Sequence, residues 1–463
     1  MKENIHYMWL SGKQFPKYNT INNFRSLHLK DTINDLFTQV VKLLVEMGHL
    51  TLKEQFIDGT TLESKANKYT FVWRKSVEKH RERLEMKIGN ILKEIEKGIV
   101  SDNIPDDEPP TPINSDELRE RIANINKELK NKQQQNQIRQ LENKLLPKLE
   151  EYEQKLETCG ERNSYSKTDP SATFMRLKGD APTNLKPGYN LQIATENQFI
   201  ANFGIYHYRN DTRALKPLLR LNQSRYAQTP QWVIADSIYG TEENYTFLEE
   251  NEIEAFVKYH YYNKDQQPKY KNNPFWVNNL QYNEKENYFL CPKGEHLNFI
   301  EKINKTSESG FVSQTHVYQC NNCKGCSLHE QCHKSTGNRR LEVNHKLLKY
   351  KKKVVELLAT QEGVEYYKRR SIEPEPVFGQ MKADRKYNRF RHMGMDKVTM
   401  DFSIFAIAFN IGKLWSKTNK SKKNTKNCLK KLFILCIYCH FNKNDITKNK
   451  ISLPKNIFQK IAA

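Results

Sequence analysis

The segment Trp232–Gly240 constrains the fold of this chain more than any other. Its sequence, WVIADSIYG, predicts a short buried strand that ends on Asp236 and is followed at once by a turn. A strand fixes the backbone, so an acid at its carboxyl end emerges at the rim of a sheet, where α/β enzymes place metal ligands or catalytic groups. We therefore predict an α/β fold in which Asp236 is a functional carboxylate.

Further acidic residues occur in a similar context. The upstream stretch Glu54–Thr60, EQFIDGT, has the same form and carries Asp58, and Glu373 and Glu375 open a helix rich in basic residues. Either aspartate alone is explained about equally well as a turn former or a helix cap. Taken together in a basic chain, the acids favour a metal-dependent enzyme that acts on phosphodiesters.

The charge of the chain supports a polyanionic partner. It has 463 residues, with 75 Lys and Arg against 54 Asp and Glu, and a formal net charge of +21. Nucleic acid fits this surplus better than a membrane surface does, because no basic amphipathic helix with a clear apolar face is apparent. A Lys-rich proteome is the alternative explanation of the charge. No run approaches the ~18 apolar residues that span a bilayer, so we expect no membrane partner.

The cysteine content bears on the compartment. The nine Cys in a chain without a visible signal peptide indicate a reducing environment. We therefore expect a cytoplasmic protein, associated with the nucleoid.

The predicted elements suggest a core with insertions. The core order is a strand with Asp58, two strands, a helix, the Asp236 strand, a helix, a strand and a terminal helix with the glutamates. Three antiparallel strands thus lead into a parallel section, as in a ribonuclease-H-like (retroviral-integrase-like) α/β fold. A proline-rich break at 105–112 separates the two halves of a helical hairpin. The predicted parts are a helical N-terminal region at 1–50, the core at 51–76 and 165–259, the helical hairpin insertion at 77–164, a small β-rich Cys-containing insertion at 260–340, a C-terminal helical part of the core at 341–415, and a basic low-complexity tail at 416–463. DNA binding and packing are equally good explanations of the N-terminal region.

Five cysteines form a possible metal-binding set. Four of them follow CxxCxxCx5C spacing, and the fifth lies upstream in a CPKG turn. Four thiolates bind Zn²⁺ well, and a small polar insertion needs such a cross-link, which favours a structural zinc site over reduced thiols. The pattern leaves open which four of the five would bind it: Cys291, Cys320, Cys323, Cys326 and Cys332.

A basic segment follows the glutamates. Backbone contacts to DNA, with Tyr387 and Phe390 stacking on an unpaired base, would explain this composition, and a solvated helix face is the alternative. The predicted DNA-binding residues are Arg369, Arg370, Lys382, Arg385, Lys386, Arg389 and Arg391.

Three sequence blocks together resemble a known family. They are FIDGT at 56–60, ADSIYG at 235–240 with ENY at 243–245, and EPVFGQMK at 375–382. These look like the catalytic blocks of DDE transposases of bacterial insertion sequences, and most of all those of the insertion sequence 1182 family. Further matching blocks are NKYTFVW at 67–73, TDP at 168–170, KPGYN at 186–190 and RFR at 389–391. The resemblance covers roughly residues 4–415. Chains of that family usually begin with a further helical region, so the resemblance implies an N-terminal truncation here.

The resemblance implies a metal-binding triad of Asp58, Asp236 and Glu375, holding two Mg²⁺ or Mn²⁺ ions. Glu373 is the alternative third acid, because it keeps the family's Tyr–Arg–Glu spacing. Glu375 keeps the Glu–Lys spacing to Lys382, and seven residues in a regular helix place those two side chains on one face.

The resemblance also implies an activity. It predicts metal-dependent strand cleavage at the ends of an insertion sequence and strand transfer into target DNA, by a protein that is a homodimer when bound to DNA. The alternatives are an inactive, transposase-derived relic that only binds DNA and a metal-dependent nuclease without strand transfer.

Overall fold

The computed structural model describes residues 4–99, 113–128, 132–177, 179–181 and 184–420. The predicted break at 105–112 and residues 421–463 of the predicted tail lie outside this part. The helices are α1 (Ile5–Leu10), α2 (Tyr18–Asn23), α3 (Ile33–Glu46), α4 (Arg74–Ile99), α5 (Ser115–Glu128), α6 (Lys132–Gln140), α7 (Leu146–Cys159), α8 (Leu215–Tyr226), α9 (Glu242–Glu250), α10 (Tyr262–Asp265), α11 (Pro268–Lys271), α12 (His329–Cys332), α13 (His345–Ala359), α14 (Gln361–Arg370), α15 (Pro374–Gly379) and α16 (Met395–Lys420). The strands are β1 (Glu54–Glu63), β2 (Phe71–Trp73), β3 (Ser164–Ser166), β4 (Thr173–Arg176), β5 (Leu185–Glu196), β6 (Phe199–Tyr206), β7 (Trp232–Gly240), β8 (Glu254–Tyr259), β9 (Gln281–Asn283), β10 (Tyr288–Leu290), β11 (His296–Thr306), β12 (Val312–Cys320) and β13 (Arg340–Val343).

A six-stranded mixed sheet with β1 near its centre confirms the predicted α/β class. Its strand order is β4-β5-β1-β7-β8, and β6 also pairs with β5. The β1, β5 and β6 strands are antiparallel neighbours. The β7 and β8 strands continue the sheet in parallel from the other side of β1. The long β5 has room for both β4 and β6, because β4 pairs with its first residues and β6 with the remainder.

The sequence predicted that the two aspartates end their strands, and this prediction is wrong. Parallel pairing between β1 and β7 stops at Ile57 and Ala235, but both strands continue. β1 extends to Glu63 because β5 stays paired along its other edge. β7 extends to Gly240 through a register shift against β8. The acids therefore lie where the parallel ladder ends, inside longer strands.

Helices cover both faces of the sheet. Phe203 of β6 packs with α3 and α16 in one large apolar cluster, against Phe37 and Phe402. The neighbouring residue Asn202 donates a hydrogen bond of 2.9 Å to the carbonyl of Leu218 in α8. Since successive strand residues point to opposite faces, α8 lies on the face opposite α3 and α16.

The helical part of the core that was predicted at 341–415 is divided into separate helices. α13, α14 and α15 end in turn, a π-helical turn at 380–384 follows α15, and non-helical chain leads to α16. α16 extends to Lys420, so residues 416–420 belong to this helix and not to a tail. By length and composition, Met395–Thr418 would suffice to cross a membrane, which the sequence reading overlooked. Its apolar residues are explained by packing, because Val398, Phe402 and Ala406 lie in the core.

The segments predicted as insertions contain their own apolar clusters. Leu84 and Ile88 of α4 pack with Leu118 of α5 and Leu149 of α7. The β9–β13 strands form a separate five-stranded antiparallel sheet in the order β13-β12-β11-β10-β9. Each unit therefore buries apolar side chains away from the main sheet.

A buried amide attaches α16 to the sheet. Asn410 accepts a 2.9 Å hydrogen bond from the Ile200 backbone N–H and donates one of 2.9 Å to the carbonyl of the same residue. We expect Asn410→Ala to lower the free energy of unfolding by about 2 kcal/mol, because it leaves buried backbone groups without partners. Urea unfolding measures this change. The exposed amide of Asn251 bonds only the carbonyl of Phe247 in the preceding helical turn, so Asn251→Ala is the control, and equal losses would contradict the prediction.

Candidate functional site

Asp58 and Asp236 are the next residues in register after the last parallel pair of β1 and β7. Neighbouring strands lie about 4.8 Å apart, so the backbone brings the two acids side by side. Asp58 Oδ1 accepts a 2.8 Å hydrogen bond from the Gly59 N–H, and Asp236 Oδ1 accepts one of 2.6 Å from the Ser237 N–H. Asp58 is half-buried, and the Asp236 side chain is 52% exposed. The structure therefore places two acids that are 178 residues apart in sequence next to each other in the sheet.

Helix α14 lies over this end of the sheet and contributes two arginines. An Nη of Arg370 lies 3.5 Å from Asp236 Oδ2. Arg369 forms a two-pronged ion pair with Glu54, 2.8 Å for Nη1 to Oε2, and its guanidinium lies 4.8 Å from the centre of the Phe56 ring. Arg369 is thus held by the sheet and anchors α14, which leaves it poorly placed for the predicted DNA contact.

The two candidate third acids differ in their surroundings. Glu373 is buried, accepts a 2.7 Å hydrogen bond from the Gln198 N–H and lies 3.6 Å from Arg369. Burial raises the pKa of Glu373, against the opposing effects of the Gln198 N–H and Arg369. Glu375, by contrast, is exposed on the first turn of α15, which packs against β1.

Lys382 continues along β1 from α15. Its Nζ donates to the hydroxyl of Thr60, which shares a strand face with Asp58 two residues earlier. The π-helical turn at 380–384 separates Glu375 from Lys382. The prediction that Glu375 and Lys382 share one helix face assumed a regular α-helix. A π-helical turn changes the rotation per residue, so a spacing of seven residues no longer places the two side chains on one face.

A buried polar network lies next to the aspartate pair and was missed by the sequence analysis. The Tyr239 hydroxyl donates to Gln192 Oε1, and Gln192 Nε2 donates to Asp211 Oδ1 over 2.7 Å. Asn190 Nδ2 donates to the same Asp211 oxygen over 2.6 Å. Polar residues alternating with apolar ones in the buried strand β5 were the available signal, because both faces of this strand are covered.

The protonation of Tyr239 follows from its environment. It is fully buried, and burial is the largest cause of a pKa well above the ordinary value, followed by the negative charges of Asp211 and Asp58. The hydroxyl therefore stays protonated and acts as a donor. The charge of Asp236 also contributes, so all three acids lie within electrostatic reach of this ring.

The segment after the π-helical turn is only partly a basic surface. Arg389 donates a 2.9 Å hydrogen bond to the carbonyl of Ser64. Phe390 is 1% exposed and packs with Tyr387 in the core, so the predicted stacking of these rings on an unpaired base is wrong. The basic side chains in this segment that remain exposed are those of Arg385, Lys386, Arg389 and Arg391.

The cysteines gather at one end of the small sheet. Cys291, Cys320, Cys323, Cys326 and Cys332 line a cavity of about 20 Å³, which is room for one water-sized atom. Burial raises the pKa of Cys320 to about 11 and also raises that of Cys332.

Several N–H groups donate to the sulfurs of this cluster. The buried Arg339 reaches Cys332 Sγ through Nη1 at 3.1 Å and Cys323 Sγ through its backbone N–H at 3.3 Å. The Glu295 N–H reaches Cys291 Sγ at 3.3 Å. Such donors stabilise thiolate sulfur in metal sites.

Neither cluster is a closed metal cage. Across the residues that the structure describes, no group of three or more His, Cys, Asp and Glu side chains is arranged to hold a metal ion. The structure brings together Asp58 with Asp236, and the five cysteines with one another, but it does not complete either ligand set.

Comparison with known proteins gives one match. The family model described as "Transposase DDE domain" matches residues 290–415, roughly a quarter of the chain. The matched segment includes Glu375 and the cysteine cluster, and it excludes Asp58 and Asp236. No curated protein and no solved structure matches the chain. The match supports a DDE transposase, and hence an enzyme that acts on DNA.

The raised pKa of Glu373 predicts a pH dependence of stability. The folded protein holds this proton more tightly than the unfolded chain, so stability falls as pH rises from about 4.5 through the raised pKa. Glu373→Gln does not titrate and keeps an oxygen for the Gln198 N–H. Between a pH of about 4.5 and the raised pKa, we therefore expect the unfolding free energy of the variant to increase relative to that of the wild type. Below this pH range, the difference between the two proteins should stay constant.

Urea unfolding of both proteins at a series of pH values measures this difference. If the unfolding free energies of the two proteins change with pH in parallel, the conclusion that burial raises the pKa of Glu373 is wrong.

Proposed function

We propose that this protein is a DNA transposase of the DDE type with a ribonuclease-H-like core. The observation that supports this most is the adjacency of Asp58 and Asp236 where parallel pairing of β1 and β7 ends. The strand order, three antiparallel strands leading into a parallel pair, agrees with such a core. The matched transposase segment follows in the chain and contributes α14 and α15, which pack against the sheet at this place.

The donor chemistry of the site fits magnesium. Carboxylate oxygens are the ligands that Mg²⁺ or Mn²⁺ prefers, and two adjacent strand acids with a helical third would hold a pair of ions together with substrate phosphate. We assign this role to Asp58, Asp236 and Glu375. Such ions, when bound, stabilise the attacking and leaving oxygens of an in-line displacement.

Glu375 is the better third ligand because its carboxylate is exposed beside the sheet. The Glu373 carboxylate is occupied by the Gln198 N–H and faces Arg369, so it holds the start of α15 in place. Glu375 would need to turn toward Asp58 when the site fills, since the three acids do not form a closed set without ions.

The chain's own basic residues would orient the DNA. Arg370 balances the charge of Asp236 and, with Lys382 beside Thr60, places positive charge next to the acids, where the scissile phosphate would lie. The exposed Arg385, Lys386 and Arg391 extend this charge and suit contacts to the phosphate backbone. We further propose a dimer on paired transposon ends, acting on DNA in the bacterial cytoplasm.

We also propose a structural zinc ion in the cysteine cluster. The support is the cavity shared by five thiols and the N–H groups directed at three of their sulfurs. Thiolate is the ligand type that zinc prefers, and a small sheet gains stability from such a cross-link.

The cleavage activity is tested with Mg²⁺, supercoiled DNA that carries the cognate ends, and single-residue variants. We expect Asp58→Asn, Asp236→Asn and Glu375→Gln each to lower the cleavage rate by more than about 100-fold, since even the neighbours of metal ligands commonly contribute 10- to 100-fold. DNA binding, measured by gel shift, should persist. Glu373→Gln is the matched control and should cleave close to the wild-type rate.

The outcomes separate the remaining functions. Binding without cleavage by the wild type would indicate an inactive relic, and cleavage without joining to target DNA would indicate a nuclease. Loss of cleavage in Glu373→Gln, with activity retained in Glu375→Gln, would make Glu373 the third metal ligand in place of Glu375.

The zinc proposal predicts about one bound Zn²⁺ per chain by elemental analysis of the purified protein. Cys323→Ser should lose the metal, and the small sheet should become sensitive to proteases. Cys159 is buried in a separate apolar cluster with Val72 and Val77, so Cys159→Ser should keep the zinc. Wild-type protein that is free of zinc when refolded with excess Zn²⁺ would contradict the proposal.

A further inference from the structure

The position of Asp236 requires support beyond the parallel ladder. Regular pairing of β7 with β1 ends at Ala235, and its pairing with β8 is interrupted between Ala235 and Gly240. Asp236 lies at the start of this irregular stretch, one residue beyond the last pair in register. Contacts outside the ladder therefore help to set its distance from Asp58.

The 3₁₀ turn Asp211–Ala214, which follows β6, makes that contact on the side of β1. Asp211 Oδ1 accepts hydrogen bonds from Asn190 and Gln192, both on β5. The same carboxylate lies against Gly59, because a Cβ there would be 2.8 Å from Asp211 Oδ1 and would overlap the Gln192 amide. Asp211 is therefore packed directly against the residue that follows Asp58.

The same turn also holds β7. The Thr212 hydroxyl donates a 2.7 Å hydrogen bond to the carbonyl of Ile238. Asn244 Nδ2 donates to the carbonyls of Thr212 and Tyr239, over 3.0 and 2.9 Å. The Tyr239 hydroxyl closes the connection by donating to Gln192, which itself donates to Asp211. The irregular stretch is thereby tied to the turn that touches Gly59.

We infer that Asp211 is a positioning residue that sets the separation of Asp58 and Asp236. This role rests on the proposed metal site, and it adds a fourth acid that acts through the polar network. Ligand oxygens bind Mg²⁺ at about 2.1 Å in near-octahedral geometry, so a displacement of either strand weakens the binding of an ion that both acids share. The negative charge of Asp211 beside Gly59, next to Asp58, also favours a divalent cation.

The test measures Mn²⁺ binding to the full-length protein by electron paramagnetic resonance of free Mn²⁺. Mn²⁺ prefers oxygen ligands, so the cysteine cluster does not compete for it. We expect Asp211→Ala to weaken binding by about 10- to 100-fold. Asp211→Asn should weaken it less, because the amide oxygen still accepts from Asn190 and Gln192. Tyr239→Phe should also weaken it, since Gln192 loses its donor.

Asn222→Ala is the matched control for general destabilisation. Asn222 is buried and lies outside the Asp211 network, since its side chain accepts a 2.6 Å hydrogen bond from Gln55 on β1 and donates one of 2.8 Å to the carbonyl of Gln228. Thermal unfolding of all variants is measured beside Mn²⁺ binding. We expect Asn222→Ala to lose stability and keep wild-type affinity. Equal losses of affinity in Asn222→Ala and Asp211→Ala would overturn the inference, because the effect would then follow stability alone.

Asp58→Ala separates this inference from the proposed function. If Asp58→Ala loses Mn²⁺ binding while Asp211→Ala binds as the wild type does, the positioning role is wrong and the metal site stands. If Asp58→Ala binds Mn²⁺ as tightly as the wild type, the proposed metal site fails, and the inference fails with it.

Discussion

The site depends on one short ladder, the parallel pairing of four residues of β1 with four of β7. This ladder fixes the register of two segments that are far apart in sequence, and Asp58 and Asp236 follow its last pair together. A shift of one residue in either strand would turn one of the acids to the opposite face of the sheet. The apolar side chains before each aspartate, such as Phe56 and Ile234, prevent that shift, because they would leave the core.

Two carboxylates on adjacent strands repel each other, and the structure limits this cost in two ways. Asp236 remains half exposed and lies beside Arg370, so water and a guanidinium screen its charge. Arg369, the neighbouring residue, is held by Glu54 and by the Phe56 ring, which keeps α14 packed on the sheet. A rigid attachment and a charge-balancing side chain therefore come from consecutive positions of one helix.

The segment after α14 shows how packing limits which basic residues face solvent. Phe390 and Tyr387 fill the core beside α16, and the basic side chains that flank and separate them, including Lys386, Arg389 and Arg391, are left exposed. The alternation of aromatic and basic residues thus has a packing explanation, whereas the sequence alone suggested stacking on bases. Exposure of the basic residues still agrees with contact to a nucleic-acid backbone.

The sequence by itself determined the α/β class, the placement of two aspartates in core strands and the gathering of the cysteines. Each of these is encoded in a local pattern, either an apolar run before an acid or a fixed Cys spacing. Only the tertiary structure decided that β1 and β7 continue past their aspartates, since that depends on pairing with β5 and β8. It also decided that Glu373 is buried under the Gln198 N–H and that Asp211 touches Gly59. These contacts join residues distant in the chain, and a local pattern carries no information about which distant partner a polar side chain will meet.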